Sequence, residues 1–152
     1  MRRHRPITDF EPVFAQLLAL TSAALLDNYI TLAIVSRILV TSETRQRAGL
    51  FEVIGSLSTK DKIYLGYTFG LYRESMFHDL TIVNNVRNML VHSRCIGDFA
   101  DVKIIDLCHS LLAPGCLFTE QPTDPLRKTA RNRFMFSAMA LIVGLQDLCR
   151  QD

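Results

Sequence analysis

Residues 74–92 have the sequence ESMFHDLTIVNNVRNMLVH, and this stretch is the clearest indication of the fold class. Its apolar residues Ile82, Val83, Val86 and Leu90 recur at the three- and four-residue spacing of one face of a helix. Strict alternation of apolar and polar residues is rare elsewhere, and the chain contains no Asn-Gly or Asp-Gly hairpin turn. The spacing therefore predicts a helix over 74–92 in an all-α fold.

Capping and breaking residues predict further helices on both sides of this stretch. Ser58 with Asp61 forms a capping box, Gly70 suits a helix end, and Asp101 can cap a helix that continues to 113. A short apolar segment over 50–54 is expected to end at Gly55. The predicted helices cover about 9–39, 59–69, 74–92, 101–113 and 124–145, where Pro114-Gly115 and Asp124-Pro125 mark an end and a start.

The length and composition indicate one globular domain. The chain has 152 residues, of which 49% are hydrophobic and 21% are charged, far from the composition of a disordered or disulfide-rich chain. We expect a flexible basic tail over 1–8 and a single all-helical domain over 9–152, built as a bundle of about five helices with antiparallel packing. The formal net charge of +2 is too small to bind nucleic acid by a general electrostatic field.

The cysteines and the apolar segments predict a cytoplasmic protein. Cys95, Cys108, Cys116 and Cys149 form no CxxC pair, which is typical of reduced thiols rather than of a disulfide framework. The spacing of these cysteines and of the histidines does not suit zinc, so no metal or cofactor is expected. The apolar stretch over 17–40 is divided at residues 27–28 by an acid and an amide, so we expect no membrane span.

The polar side of the helix over 74–92 is the most informative candidate site. Asn85, Asn88 and His92 stand at positions i, i+3 and i+7 and so form a stripe of amides and an imidazole. One interpretation is structural: such side chains tie neighbouring helices together, and a histidine near a helix end suits the dipole there. A second makes His92 a proton carrier near neutral pH and Arg87 a phosphate clamp, which together suffice for metal-independent RNA cleavage.

Arg87 and His92 stand five residues apart, about 140° around a regular helix. One copy of the helix would therefore not bring them onto one face, whereas two copies related by a two-fold axis could line a shared cleft. The tract from Arg87 to His92 resembles the Arg, polar residue, spacer and His signature of HEPN domains, which are dimeric helical bundles that in many members cut RNA. That resemblance implies Arg87 and His92 as the catalytic pair and Asn88 as the polar residue that orients them. Some of these nucleases have a tyrosine two residues after the histidine, where this chain has Arg94.

A longer set of motifs resembles the mannitol operon repressor family. The matching motifs are Ala23–Asp27, Leu50-Phe51, Gly55–Lys60, Tyr67–Leu71 and Val86–Asn88 with His92. This resemblance covers most of the chain from about residue 15. It implies a small, all-helical intracellular protein that controls mannitol uptake and use and that lacks a helix-turn-helix for reading DNA.

These observations predict a regulator that acts through protein contacts, with a metal-independent endoribonuclease as the alternative. We expect a homodimer, a regulatory protein partner or RNA as ligands, no membrane binding, and no direct sequence-specific DNA binding. A basic cluster near the start of the last helix would suit a phosphate or an acidic surface, although a solvated helix face explains it equally well. This cluster consists of Arg127, Lys128, Arg131 and Arg133. The predicted binding residues are Asn84, Asn85, Arg94, Arg127, Lys128 and Arg131.

One aromatic cluster has two interpretations. Tyr64, Tyr67, Phe69 and Tyr72 could stack against nucleic-acid bases, since every base presents a π-face. Aromatic side chains at this spacing more often fill a hydrophobic core. We therefore expect these four rings to be buried.

Overall fold

Six α-helices make up most of the part of the chain that the computed structural model describes, residues 10–38, 44–92, 98–113 and 126–150. No β-strand occurs in these ranges, so the all-α prediction is confirmed. The predicted tail over 1–8 and the predicted helix signals at 114–115 and 124–125 lie outside the described residues. The helices are α1 (Phe10–Ile38), α2 (Thr44–Ser56), α3 (Thr59–Thr68), α4 (Glu74–His92), α5 (Val102–His109) and α6 (Leu126–Cys149).

The helix count is six rather than about five because residues 44–56 form α2. Gly55 was expected to end the apolar segment, but it lies inside this helix. A glycine in a helix costs about 1 kcal/mol relative to alanine. The preceding residue, Ile54, is buried in the hydrophobic core, and the burial of a large apolar side chain contributes more than that cost.

Predicted helix ends are confirmed where local side chains determine them. The hydroxyl of Ser58 accepts a hydrogen bond from the backbone N–H of Asp61 at 3.2 Å, and the carboxylate of Asp101 accepts one from the N–H of Lys103 at 2.8 Å. Gly70 has a φ of 67°, in the left-handed region that glycine adopts without a steric penalty. These contacts fix both ends of α3 and the start of α5.

Helix α4 lies at the centre of the bundle and packs against α1, α3, α5 and α6. Its predicted apolar stripe, Ile82, Val83, Val86 and Leu90, is buried. From 79 to 91, only Asn85 is exposed. Any polar group that α4 carries elsewhere in this range is therefore at least partly enclosed by neighbouring helices.

The inner side of α1 is joined to α3 by a buried ion pair. The side chain of Lys62 is only 2% exposed, and its Nζ lies 2.6 Å from Oδ2 of Asp27. The hydroxyl of Thr59 donates to Oδ1 of the same carboxylate at 2.8 Å. The carboxylate that interrupts the apolar sequence of α1 therefore points into the bundle.

Helix α1 also has a membrane-like composition. Its residues Val13–Ile38 are long and apolar enough to cross a membrane by length and composition alone, and 44% of the most apolar window is buried within the bundle. The buried positions include Ala15, Ala19 and Leu26, which belong to the shared core. One side of α1 is therefore a core element of the bundle.

Helices α1 and α6 run in the same direction. The guanidinium of Arg131 lies 5.9 Å from the ring centroid of Phe14, and the amide of Gln146 donates to the hydroxyl of Tyr29 at 2.6 Å. Because both contacts follow the same order along the two helices, the expected antiparallel packing is wrong for this pair. Short connections dictate antiparallel packing between sequence neighbours, whereas α1 and α6 are the first and last helices.

Candidate functional site

The polar residues of α4 occupy two different environments. Asn84 is partly buried and lines a small apolar pocket with Leu26 of α1, Ile63 of α3 and Val83 of α4. Asn85 is exposed to solvent, and Asn88 is partly buried. The predicted binding residue Asn85 is therefore reachable by a ligand, whereas Asn84 faces the packing between three helices.

Arg87 and Asn88 interact directly. The guanidinium Nη1 of Arg87 donates to the side-chain oxygen of Asn88 at 2.8 Å. The Nε of Arg87 is buried and has no hydrogen-bond acceptor among the described residues. The amide of Asn88 therefore holds one edge of the guanidinium, and its role in orienting a catalytic pair stays a prediction.

The backbone of α4 directs Arg87 and His92 to different sides of the helix. His92 is the last residue of α4, so the backbone directions of the two residues differ by about 140°. The side chain of His92 and the whole of Arg94 lie outside the described residues. Of the predicted catalytic set, the described side chains thus contain the Arg87–Asn88 pair alone.

The basic cluster at the start of α6 serves the fold wherever its side chains are described. Arg131 is partly buried and lies against the ring of Phe14. Arg133 donates to the backbone carbonyls of Cys108, His109 and Leu111 at 2.9–3.1 Å. These carbonyls lie at the end of α5, where helical N–H partners are missing, so Arg133 caps that helix. The side chains of Arg127 and Lys128 lie outside the described residues.

An aromatic cluster at α3 and α4 is largely exposed, contrary to the expectation that its rings fill the core. Tyr72 is buried as expected, but the prediction is wrong for Tyr64, Tyr67 and Phe69, which are 40–49% exposed. The ring of Phe77 stacks on Tyr67 at a centroid distance of 4.5 Å and meets Tyr64 edge-to-face at 5.1 Å. We call these four residues, Tyr64, Tyr67, Phe69 and Phe77, the aromatic surface. The i, i+3 spacing of the two tyrosines was a signal for a shared helix face, but not for its exposure.

A second unpredicted feature is a buried carboxylate beside a histidine. Asp79 is buried and accepts hydrogen bonds from the backbone N–H groups of Leu112 and Ala113 at 2.9 and 2.8 Å. The Nδ1 of His78 lies 3.0 Å from the same carboxylate, and the imidazole remains partly exposed. Asp79 therefore ties the segment after α5 to α4 and orients the His78 ring. Its backbone partners lie more than 30 residues away, so no local sequence signal marks this role.

The buried thiol of Cys108 is not suited to catalysis. Burial raises the pKa of the Cys108 thiol to about 12, and the nearby guanidinium of Arg133 lowers it only in part. A thiol with this pKa is not a nucleophile at neutral pH. No group of three His, Cys, Asp or Glu side chains that could hold a metal ion is found in the described ranges.

The motifs behind the family resemblance contribute mainly to folding. Asp27 and Thr59, which belong to two of the matching motifs, are hydrogen-bonded to each other, and Gly70 supplies the left-handed end of α3. Comparison of the chain with protein-family models, with curated proteins and with solved structures finds no match. The mannitol-repressor resemblance thus remains a prediction from sequence motifs.

Proposed function

We propose that this chain is an intracellular transcriptional regulator of the mannitol-repressor type that acts by binding another protein. The observation that carries the proposal is the aromatic surface on α3 and α4. The ring of Phe77 packs against those of Tyr64 and Tyr67, so these three side chains lose little conformational freedom when a partner binds. Aromatic side chains are enriched among the anchoring residues of protein interfaces, where tyrosine supplies both apolar area and a hydroxyl.

The arrangement of α2 and α3 argues against direct DNA reading. Only residues 57 and 58 separate these helices, as in a helix-turn-helix, whose second helix would present basic residues to the major groove. The exposed side of α3 instead carries Lys60, Asp61 and aromatic rings. The second lysine of α3, Lys62, is turned inward to Asp27. A surface with balanced charge and aromatic rings suits a protein partner better than a phosphate backbone.

A reporter under a mannitol-operon promoter tests this function. We expect wild-type protein to repress the reporter and Tyr64→Ala/Tyr67→Ala to lose most of that repression. Val102→Ala is the control, because Val102 is an exposed apolar residue at the start of α5, a helix that packs against α4 and α6. Purified wild-type protein should bind operator DNA no more tightly than unrelated DNA. Specific operator binding with a steep salt dependence would reject the protein-contact mechanism, and equal repression by the double variant would reject the aromatic surface.

A metal-independent endoribonuclease is the second candidate, and the Arg87–Asn88 hydrogen bond of 2.8 Å favours it. In this reaction His92 accepts the proton of a ribose 2′-hydroxyl as the 2′-oxygen attacks phosphorus. The bond from phosphorus to the 5′-oxygen then breaks, a proton passes to that oxygen, and a 2′,3′-cyclic phosphate remains. The positive charge of Arg87 stabilises the extra negative charge on the phosphorane.

Incubation of single-stranded RNA with the protein in chelator tests this alternative. Wild-type protein should leave cyclic phosphate ends, and Arg87→Ala and His92→Ala should each abolish cleavage. Asn88→Ala should reduce the rate while leaving some activity, because it removes the group that orients the guanidinium. Arg73→Ala, at an exposed arginine just before α4, is the control. Wild-type cleavage no greater than that of the two catalytic variants excludes the nuclease.

A further inference from the structure

The two longest helices carry a continuous apolar surface that the bundle leaves uncovered. On α1 it lies on the side of the helix opposite the residues that pack in the core. We call it the outer face, and every one of its side chains is at least 40% exposed. It consists of Phe14, Leu17, Leu25 and Leu32 of α1 and Phe136, Met139 and Val143 of α6.

The parallel register of α1 and α6 makes these residues neighbours. The contacts Phe14–Arg131 and Tyr29–Gln146 each join residues that are 117 positions apart in the chain. Met139 therefore lies level with residue 22 of α1, midway along the exposed stripe from Phe14 to Leu32. The stripe of α6 thus continues the stripe of α1 across the groove between them.

The outer face carries no charge along its length and is bounded by charges at its ends. Between Val13 and Ser36 the chain contains one charged residue, Asp27, which is turned toward Lys62. No charged residue occurs from 134 to 146 on α6. Arg131 lies at the Phe14 end of the face, and an exposed pair, Asp147 and Arg150 with their charged atoms 3.9 Å apart, lies at the opposite end.

The size of the outer face matches half of a protein dimer interface. Seven large apolar side chains, each about half exposed, present roughly 600 Å², and the side chains at the rim extend this area. The largest apolar patch on a typical monomer is about 300–600 Å². A standard interface buries about 800 Å² on each partner, and homodimer interfaces are more apolar than transient ones.

We propose that the outer face binds a second copy of this chain about a two-fold axis that passes near Met139. The two α1 helices then run antiparallel, and each apolar stripe covers the other. Arg131 lies level with residue 14 of α1, and Asp147 lies level with residue 30, because contacting residues of α1 and α6 are 117 positions apart. The axis lies midway between these two levels, so it places Arg131 of one copy opposite Asp147 of the other. A two-fold contact requires a surface that complements itself. The uncharged stripes meet this condition, and the Asp147 carboxylate, whose exposed contact with Arg150 is a long 3.9 Å, can also accept Arg131 of the second copy. The inference does not rest on the proposed function.

Sedimentation velocity between about 5 and 100 μM tests the proposal. We expect wild-type protein to be a dimer and Leu17→Glu to weaken dimerisation at least about 100-fold, because the variant buries an unpaired charge. Val102→Glu is the matched control: Val102 is 70% exposed, but it begins α5 and lies off the outer face. That variant should remain dimeric, and circular dichroism should show the same helix content for all three proteins.

A charge exchange at Met139 keeps the test decisive if Leu17→Glu fails to fold. Met139 is 59% exposed, so the monomer should tolerate a charge there. Near a two-fold axis the residue faces its own copy, so Met139→Glu and Met139→Lys should each be monomeric and their equal mixture should form a heterodimer.

Several results would overturn the proposal. They are a monomeric wild type at 100 μM, a dimer that survives both Met139 substitutions, or a dimer that Val102→Glu disrupts equally. A monomeric wild type that sediments with phosphatidylglycerol and phosphatidylcholine vesicles would assign the outer face to a membrane surface instead.

Discussion

We expect Asp27→Ala to lower the free energy of unfolding by about 3–5 kcal/mol, which is the range for removing one partner of a buried ion pair. The ammonium of Lys62 is nearly inaccessible to water, and it donates a hydrogen bond to the Asp27 carboxylate at 2.6 Å. The substitution strands that charge in the bundle and also removes the acceptor of the Thr59 hydroxyl. A typical domain is stable by only 5–15 kcal/mol, so the loss should be visible in any unfolding experiment.

Lys62→Met tests whether the stability loss of Asp27→Ala comes from the unpaired charge of Lys62 or from a general loss of packing. Replacing the buried lysine by a similar apolar side chain is often neutral or stabilising, and the remaining carboxylate of Asp27 is 29% exposed and can be hydrated. The double variant Asp27→Ala/Lys62→Met should therefore be at least about 2 kcal/mol more stable than Asp27→Ala alone, since the stranded ammonium is gone.

Urea unfolding followed by circular dichroism at one fixed protein concentration measures these differences. Asp106→Ala is the control, since Asp106 is an exposed acid on α5, and substitutions at such surface positions usually change stability by less than about 0.5 kcal/mol. The reasoning is refuted if Asp27→Ala stays within about 0.5 kcal/mol of wild type, or if Lys62→Met does not rescue it.

Three further variants test other parts of the bundle. Gly66→Ala should lower the free energy of unfolding in urea by about 1–3 kcal/mol, because a Cβ there would lie 2.6 Å from the hydroxyl of Tyr72. Adding Tyr72→Phe should recover part of this loss, and no recovery would contradict the clash. Gly70→Ala should cost about 1 kcal/mol, because φ is 67°; an unchanged midpoint would argue against a left-handed residue at this position. Burial raises the pKa of Cys108 from 9.0 to about 12. As the pH rises, the thiol therefore loses its proton in the unfolded chain before it does so in the folded one. The free energy of unfolding should then fall above about pH 9, by up to about 1.4 kcal/mol per pH unit. Cys108→Ala should flatten that decline between pH 8 and 10.5, and the same slope in both proteins would reject the shift.

The parts of the fold that sequence predicted are those that short-range interactions determine. The ends of α3 and α5 depend on Ser58 and Asp101, whose partners lie two or three residues away. The bounds of α4 follow from an apolar spacing that its own side chains define. Such signals are present in the local sequence before any tertiary contact forms, so they could be recognised without the structure.

Interactions between distant segments could not be predicted in the same way. Arg133 resembles a ligand-binding arginine in sequence, yet it caps carbonyls 22–25 residues earlier in the chain. Asp79 resembles an ordinary helix-surface acid, yet it accepts two backbone N–H groups of the segment after α5. In each case the residue type indicates which kind of group the side chain can bind. The packing of the helices determines which such group lies close enough.

The candidate site also combines local interactions, which a sequence can indicate, with long-range ones, which it cannot. The Arg87–Asn88 hydrogen bond joins adjacent residues, so a sequence motif can mark the pair, while its catalytic role stays a prediction. The exposure of Tyr64 and Tyr67 depends on how α3 lies against α4, and no local pattern of residues indicates that arrangement. Local chemistry was therefore predictable in this chain, whereas the accessibility of that chemistry was not.

The location of a second copy bears directly on the nuclease proposal. The inner side of α1 packs against α4, and the outer face is on the opposite side of α1. A helix with its side chains is about 10 Å across, so a copy bound at the outer face is separated from α4 by the whole of α1. The two Arg87 side chains would then not share a cleft, and one chain would have to supply both Arg87 and His92 despite their angle of about 140°. RNA cleavage that disappears together with the dimer in Leu17→Glu would contradict this separation, because it would require the second copy to complete the active site.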